Sequence, residues 1–296
     1  MREKPHIICI GSVLWDIIGF SDENLDRGND KEGIISKQPG GVAMNLAMRL
    51  RKYNIISAFL SALGDDKEGK DLLQICKRNG ILCNDIVICP NARTDYYMAI
   101  EDKKGVALAI ADTSLLCKTG DSILKPIISG RYKNWKGPIV VDSNLSKSIL
   151  ENLRYNSAFK GSDFRLVPGS PSKVERLKLF LTHPGANFYL NLSEACLILN
   201  RRFETSKDAA LEIVKTGLRS VLVTNGEKSA CFANGSEVVE VKPPKVKIIK
   251  LTGAGDVLMA SHLAKTLKGF NNREALLFAL KETGKFISEG FKSGCS

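Results

Sequence analysis

Leu251-Thr252-Gly253-Ala254-Gly255-Asp256, followed at once by VLMASHLAKTL, is the stretch of this 296-residue sequence that says most about the fold. A glycine-rich turn runs straight into an apolar helix, predicted over Gly253–Ala264. The first N–H groups of a helix have no partner within it, and the helix dipole favours an anion in front of them. Gly253, Ala254 and Gly255 are therefore a candidate anion hole. Asp256 falls in the first helical turn. There it is either a charge that complements the dipole or a general base beside the hole. The second reading suits phosphoryl transfer to a hydroxyl: the carboxylate takes the alcohol's proton while the amides hold the charge on the moving phosphoryl group. The Walker pattern GxxxxGK[ST] does not occur in the sequence.

Upstream of this turn the chain alternates between strand and helix patterns. His6–Gly11 is a short apolar run of the kind that forms a buried strand. PGGVAMNLAMRLRKYN (39–54) reads as two glycines opening a helix. Ile55–Leu63 reads as a strand and 67–79 as an amphipathic helix ended by Gly80. Strands at Ile139–Asp142, Phe164–Val167, Phe188–Leu190 and Ser220–Thr224 alternate with helices at Ser146–Leu153, Lys173–Leu181 and Ala209–Thr216. This alternation predicts a parallel sheet covered by helices. Residues 95–110 break it: two β-prone runs joined by Asp102–Gly105 are a hairpin, suited to a lid. No internal repeat or linker divides residues 1–296, so we expect one α/β domain.

Three further segments carry polar groups at strand ends. In Gly40-Gly41-Val42-Ala43-Met44-Asn45, the glycines let a ligand approach the backbone and Asn45 both donates and accepts; a tight turn before a helix has the same look. Asp16 follows the first strand, on the edge where open parallel sheets bind ligands. It is either a carboxylate for adjacent sugar hydroxyls or a turn residue. Asn191-Leu192-Ser193-Glu194 is either a Mg²⁺ and phosphate site or a helix-capping box. Thr224-Asn225-Gly226 either meets a nucleotide or turns the chain.

The formal charge of +11 raises the question of polyanion binding. The basic residues are spread out, aromatic residues are few, and no nucleic-acid module is recognisable, so nucleic acid is not an expected partner. The densest run, Lys242–Lys250, reads as a solvated strand edge or as a phosphate-steering patch. The eight cysteines form no CxxC pair. The opening MREKPHIICIG has no signal-peptide core, and no run of about 18 apolar residues occurs. These features predict a soluble, reduced, cytoplasmic protein without membrane contact.

Together the motifs resemble the ribokinase (PfkB) family of carbohydrate and nucleoside kinases. IGSVLWD near the start, PGGVAMNLA, Gly64–Gly69 (GDDKEG), Asn191–Glu194 and Leu251–Asp256 match that family's segments in its own order. The resemblance implies a doubly wound α/β sheet with helices on both faces and a lid of β-strands near 17–37 and 93–111. It implies ATP as phosphoryl donor, Mg²⁺, and Asp256 as catalytic base with Gly253, Ala254 and Gly255 as the anion hole. Asn191 and Glu194 would serve Mg²⁺ and phosphates, Thr224 and Gly226 would touch ATP, and Asp16, Gly40, Gly41 and Asn45 would hold the acceptor. The lid often makes the dimer contact in this family, which implies a homodimer.

Leu251 departs from the family pattern by replacing an Asp. Many members need a monovalent cation such as K⁺, and this departure leaves that requirement open. Ser229 replaces a glycine of the T-x-G-x-x-G nucleotide segment, and Leu258 replaces a Phe. DSNLS (142–146), VPGSPSK (167–173) and the aliphatic residue before TGAGD resemble the subgroup that phosphorylates the 5′-hydroxyl of pseudouridine. Val167 stands where that subgroup tends to have Asp. In this subgroup Thr94 and Asn144 would be nucleoside contacts. A kinase of ribose, fructose or another nucleoside is the alternative, and a non-catalytic member that kept the fold is a third reading.

Overall fold

The computed structural model describes residues 3–26, 28–103, 105–249 and 251–289. The chain enters the main sheet with β1 (Ile7–Ile10), whose four apolar residues are all buried. Alternation decides where they go. Ile8 and Ile10 join one hydrophobic cluster, and Ile7 and Cys9 join another on the opposite face. β2 (Leu14–Phe20) and β3 (Ile34–Gly40) leave for a second sheet, and α1 (Val42–Arg51) returns the chain to the first. β4 (Ser57–Leu60), β5 (Ala62–Gly64), α2 (Lys67–Arg78) and β6 (Val87–Cys89) follow, then the hairpin β7 (Tyr96–Asp102) and β8 (Gly105–Asp112). Next come α3 (Ser114–Thr119), α4 (Lys125–Ile128), β9 (Pro138–Asp142), α5 (Lys147–Tyr155), β10 (Asp163–Val167) and β11 (Ala186–Asn191). The last elements are α6 (Leu192–Leu199), α7 (Ser206–Val214), β12 (Ser220–Asn225), β13 (Lys228–Asn234), β14 (Val238–Val241), α8 (Ala254–Leu267) and α9 (Asn272–Ser288).

The main sheet has the order β14-β13-β12-β11-β10-β9-β1-β4. Neighbours from β4 to β12 run parallel, and β13 and β14 close one edge antiparallel. Residues of α1, α2, α8 and α9 fill the cluster on one face. Residues of α5, α6 and α7 fill the other. This is the expected doubly wound α/β fold. β1 has β4 on one side and β9 on the other, so the strand order reverses there. The crevice beyond the carboxyl ends of β1 and β9 is where such a sheet binds ligands.

The second sheet has the order β3-β2-β7-β8. Its β2–β7 register sets Asp16 beside Tyr97 and Ile18 beside Ala99 on one face. Met98, Ile100, Leu108 and Ile110 lie on the other face and are exposed.

Three local expectations are corrected. The apolar run Ile55–Leu63 is two strands: β4 lies in the main sheet, whereas β5 pairs with β6 in a separate two-stranded sheet. Ser61 stands at the break and donates its hydroxyl to the Gly11 carbonyl. The segment Lys173–Leu181 belongs to a 3₁₀ stretch, Pro171–Phe180, because its buried residues Val174, Leu177 and Phe180 recur every third position. Lys242–Lys250 is no strand edge: β14 stops at Val241, before Pro243 and Pro244, which lack the N–H a ladder needs. Lys242, Lys245 and Lys247 are exposed on irregular chain, and Lys250 lies outside the described residues.

Candidate active site

The floor of the crevice is built around Asp142, at the carboxyl end of β9 and wholly buried. Its Oδ2 accepts from the Ser12 N–H (2.8 Å), the Ser12 hydroxyl (2.7 Å) and the Ala43 N–H (3.1 Å). Its Oδ1 accepts from the Asn144 N–H at 2.9 Å. The Ser12 hydroxyl in turn accepts from the Val42 N–H and the Asn144 side-chain amide, both at 3.0 Å. The start of α1 has no side-chain cap of its own. Residues from two other strand ends satisfy it instead. Gly41 has φ +100, and a Cβ there would collide with the Ser12 carbonyl. The second glycine of the pair is thus what lets α1 begin this close to β1.

The start of α1 also positions the reactive groups. Asn45, one turn in, donates its side-chain amide to Asp256 Oδ2 at 3.0 Å. Arg49 follows at i+4 on the same helical face. Its charge favours the ionised Asp256, though burial prevails and pushes Asp256 up to about 6. Gly253 has φ +84 and stands just before α8. The Ala254 N–H is spent on the Leu251 carbonyl and the Val257 N–H on the Gly253 carbonyl. The Gly255 and Asp256 N–H groups have no acceptor among the described residues. A Cβ on Gly255 would meet open space. A negatively charged group fits in front of that turn.

Asp16 belongs to the same group. Burial, then the charges of Asp256 and Glu101, push it up to about 7. Gly40 lies against the Asp16 carboxyl, and any side chain at position 40 would fill that space. Asp16, Gly40, Gly41, Asn45, Gly253, Ala254, Gly255 and Asp256 are therefore brought together. Trp15, next to Asp16, is buried; its indole N–H donates to the Glu68 carbonyl and Lys37 stacks on its ring.

A second group lies further along the same edge. Asn191 and Glu194 form a capping box: the Glu194 N–H donates to Asn191 Oδ1 (2.9 Å) and the Asn191 N–H to Glu194 Oε2 (2.8 Å). Burial nevertheless pushes Glu194 up to about 7. Thr224 pairs with Asn191 in the β11–β12 register, and Gly226 follows in the turn to β13 with φ +55. Ser229 lies beyond that turn, inside β13.

Thr94 and Asn144 are held by other residues. The Thr94 hydroxyl donates to Asp66 Oδ1 (2.6 Å) and accepts from the Gly64 N–H (3.2 Å). Asp66 also caps α2 through the Gly69 N–H. A Cβ on Gly64 or Gly69 would enter this knot, which explains the spacing of GDDKEG. Asn144 bonds Ser12 and accepts from Lys173 Nζ at 2.6 Å. The sequence reading passed over Ser12, Arg49, Glu101 and Asp142. The i+4 spacing from Asn45 would have found Arg49, and an Asp closing an apolar strand would have found Asp142.

The pfkB family carbohydrate kinase model matches residues 4–283. The chain belongs to this family. Its relatives include the pseudouridine kinase of Escherichia coli (strain K12), 28% identical over 94% of this chain and 89% of that one. The guanosine-inosine kinase of Exiguobacterium acetylicum is 25% identical over 95% of this chain and 94% of that one. The structure of Arabidopsis thaliana ribokinase complexed with ribose and ATP superposes with a TM-score of 0.80 at 19% identity, covering 97% of this chain and 94% of that one. The pfkB kinase described here is accordingly an enzyme that phosphorylates a hydroxyl group with ATP.

Proposed function

We propose that this kinase transfers the γ-phosphoryl group of ATP to the 5′-hydroxyl of pseudouridine in a single in-line step. The observation that carries the chemistry is the Asn45–Asp256 bond, which holds a carboxyl with a raised pKa in the first turn of α8. A base that titrates near 6 is largely ionised at neutral pH yet still takes a proton effectively. Asp256 removes the hydroxyl proton as the bond to phosphorus forms, and the free Gly255 and Asp256 amides hold the phosphoryl oxygens. Arg49 stabilises the ionised carboxylate before transfer. Asp16 accepts from the sugar hydroxyls, whose donors lower its pKa on binding. No covalent enzyme intermediate is required.

The acceptor assignment rests on the similarity to pseudouridine kinase along nearly the whole chain. Asn191, Glu194, Thr224 and Gly226 form the ATP side of the site. No cluster of three or more acidic, His or Cys side chains suited to a metal occurs among the described residues. The single buried carboxyl of Glu194 fits Mg²⁺, which keeps most of its waters and takes one or two carboxylates together with substrate phosphates. Glu194 would hold it, with Asn191 beside the phosphates. When bound, Mg²⁺ neutralises phosphate charge. The exposed outer face of the lid, with Ile35, Met98, Ile100, Leu108 and Ile110, supports a homodimer through the lid. The cysteines in the described residues are free, in keeping with a reducing, cytoplasmic setting.

The test is ADP release with Mg·ATP and K⁺ across pseudouridine, uridine, adenosine, ribose, fructose and a blank without acceptor. Selective turnover of pseudouridine is expected. Selective turnover of ribose or fructose would keep the chemistry and move the acceptor. Silence from folded protein across the panel would count against the acceptor assignment altogether.

A further inference from the structure

Glu101 sits on the lid, yet it reaches the catalytic turn. Its Oε1 accepts from the Thr252 hydroxyl at 3.0 Å, between residues 151 apart in sequence. Two features of the β7–β8 hairpin aim it there. Alternation places Tyr97, Ala99 and Glu101 on the inner face, with Met98 and Ile100 outward. The β7–β8 register shifts between Ile100 and Glu101. Such a bulge bends a strand and redirects the side chain beside it. Thr252 directly precedes Gly253, whose positive φ sets the direction of the anion-hole amides. Asp16, on the neighbouring strand, feels the charges of both Glu101 and Asp256.

We propose that Glu101 is a positioning residue that latches the closed lid to the 252–255 turn, so that the anion hole takes its working geometry only when the lid covers the acceptor. This rests on the kinase reading of the site. The catalytic group remains Asp256; Glu101 acts through Thr252. The latch ties two events that must coincide. Water is excluded from the γ-phosphoryl group, and the amides that hold it are oriented. Without the latch the lid still folds, but closure no longer fixes the turn, and water competes with the acceptor.

The experiment compares E101A, E101Q, T252V, T252S and the double variant E101A/T252V with the wild type. Acceptor phosphorylation, ADP formed without phosphorylated product, and amide hydrogen exchange of Ala254 and Val257, whose N–H groups are bonded within this turn, are measured on each. E101A and T252V should each lower kcat/KM for the acceptor by about 3- to 10-fold, the worth of one exposed hydrogen bond to a carboxylate. Both should raise the share of ATP hydrolysed without transfer and speed exchange in the turn. The double variant should be no worse than either single one, because both remove the same bond. E101Q and T252S keep an acceptor and a donor and should stay close to wild type. Additive effects in the double variant would overturn the latch. So would wild-type exchange in E101A, or an E101Q as defective as E101A, since the last would mean that Glu101 acts by its charge on Asp16. Exchange needs no turnover, so it still decides the latch if no acceptor of the panel is phosphorylated.

Discussion

Asp142 and Glu101 stand near the ends of two strands that are held in opposite ways. β9 lies between β1 and β10, is buried along its whole length, and ends in a carboxyl that accepts four hydrogen bonds. β7 lies between β2 and β8 and leaves Met98 and Ile100 open to solvent, and the Glu101 carboxylate accepts a single described bond outside its own sheet, from Thr252. The floor of the site is thus assembled by folding, before any ligand arrives. The cover is only lightly tied to it. A phosphoryl-transfer site needs both: preorganised dipoles where charge develops, and a wall that opens for substrates. Low local contact density is what makes such a wall cheap to move.

The largest expected effect lies on the floor. D256N removes the base while keeping an oxygen for Asn45, so turnover should fall by about 10²–10⁴-fold with little change in melting temperature. Near-wild-type turnover in folded D256N would remove Asp256 from the base role. D142N should act on the fold instead. An amide there turns its NH₂ group toward either the Asn144 N–H or the Ser12 and Ala43 donors, and a buried donor then faces a donor. Denaturant unfolding should show a loss of about 2–4 kcal/mol. A loss well below 1 kcal/mol would mean that the start of α1 does not depend on this carboxyl.

The third effect has the opposite sign. Asp16, Asp256 and Glu194 all have pKa values raised above their unfolded ones, to about 7, 6 and 7. At these three positions the folded state therefore binds more protons than the unfolded state between about pH 4 and 7. Their contribution to stability is greatest below the unfolded values and is lost as pH rises through the folded ones. D16N removes one of these groups. The ligand-free variant should be more stable than wild type at pH 8 by about 1–3 kcal/mol, the gain vanishing near pH 4. It should also bind the acceptor poorly. Urea midpoints at the two pH values read this directly, and an unchanged difference between them would show that Asp16 is not held in a raised state.

The same contrast explains what the sequence disclosed. Main-sheet strands such as IICI are apolar on every residue because both faces are covered, so the α/β alternation was legible. TGAGD was legible because a helix start carries its chemistry locally. Asp142 shows in the sequence only as a carboxyl closing an apolar strand; its role does not, because its partners Ser12 and Ala43 lie 130 and 99 residues away. For Thr94 and Asn144 the resemblance implies a nucleoside contact, but their structural partners were not legible. The bonds that hold them, to Asp66 and Ser12, join distant segments. Glu101 escaped because a bulge, not a motif, aims it. The break at Ser61 escaped because apolar residues continue on both sides of it.

The smallest expected effect on the fold is the one that isolates the lid. Leu108 and Ile110 are 56% and 72% exposed, on the outer face of β8. Changing both to lysine removes no buried contact within the chain, so the stability of a single copy should stay within about 0.5 kcal/mol. If a second copy covers this face, four lysines meet across a two-fold interface and association fails. Sedimentation should then show a wild-type dimer and a monomeric variant, and the concentration dependence of the wild-type melting temperature should disappear in the variant. A wild type that sediments as a monomer would end the dimer proposal. A variant that stays dimeric would move the interface off the lid. If the monomer still phosphorylates its acceptor with reduced kcat/KM, the second copy steadies the cover while the floor performs the chemistry alone.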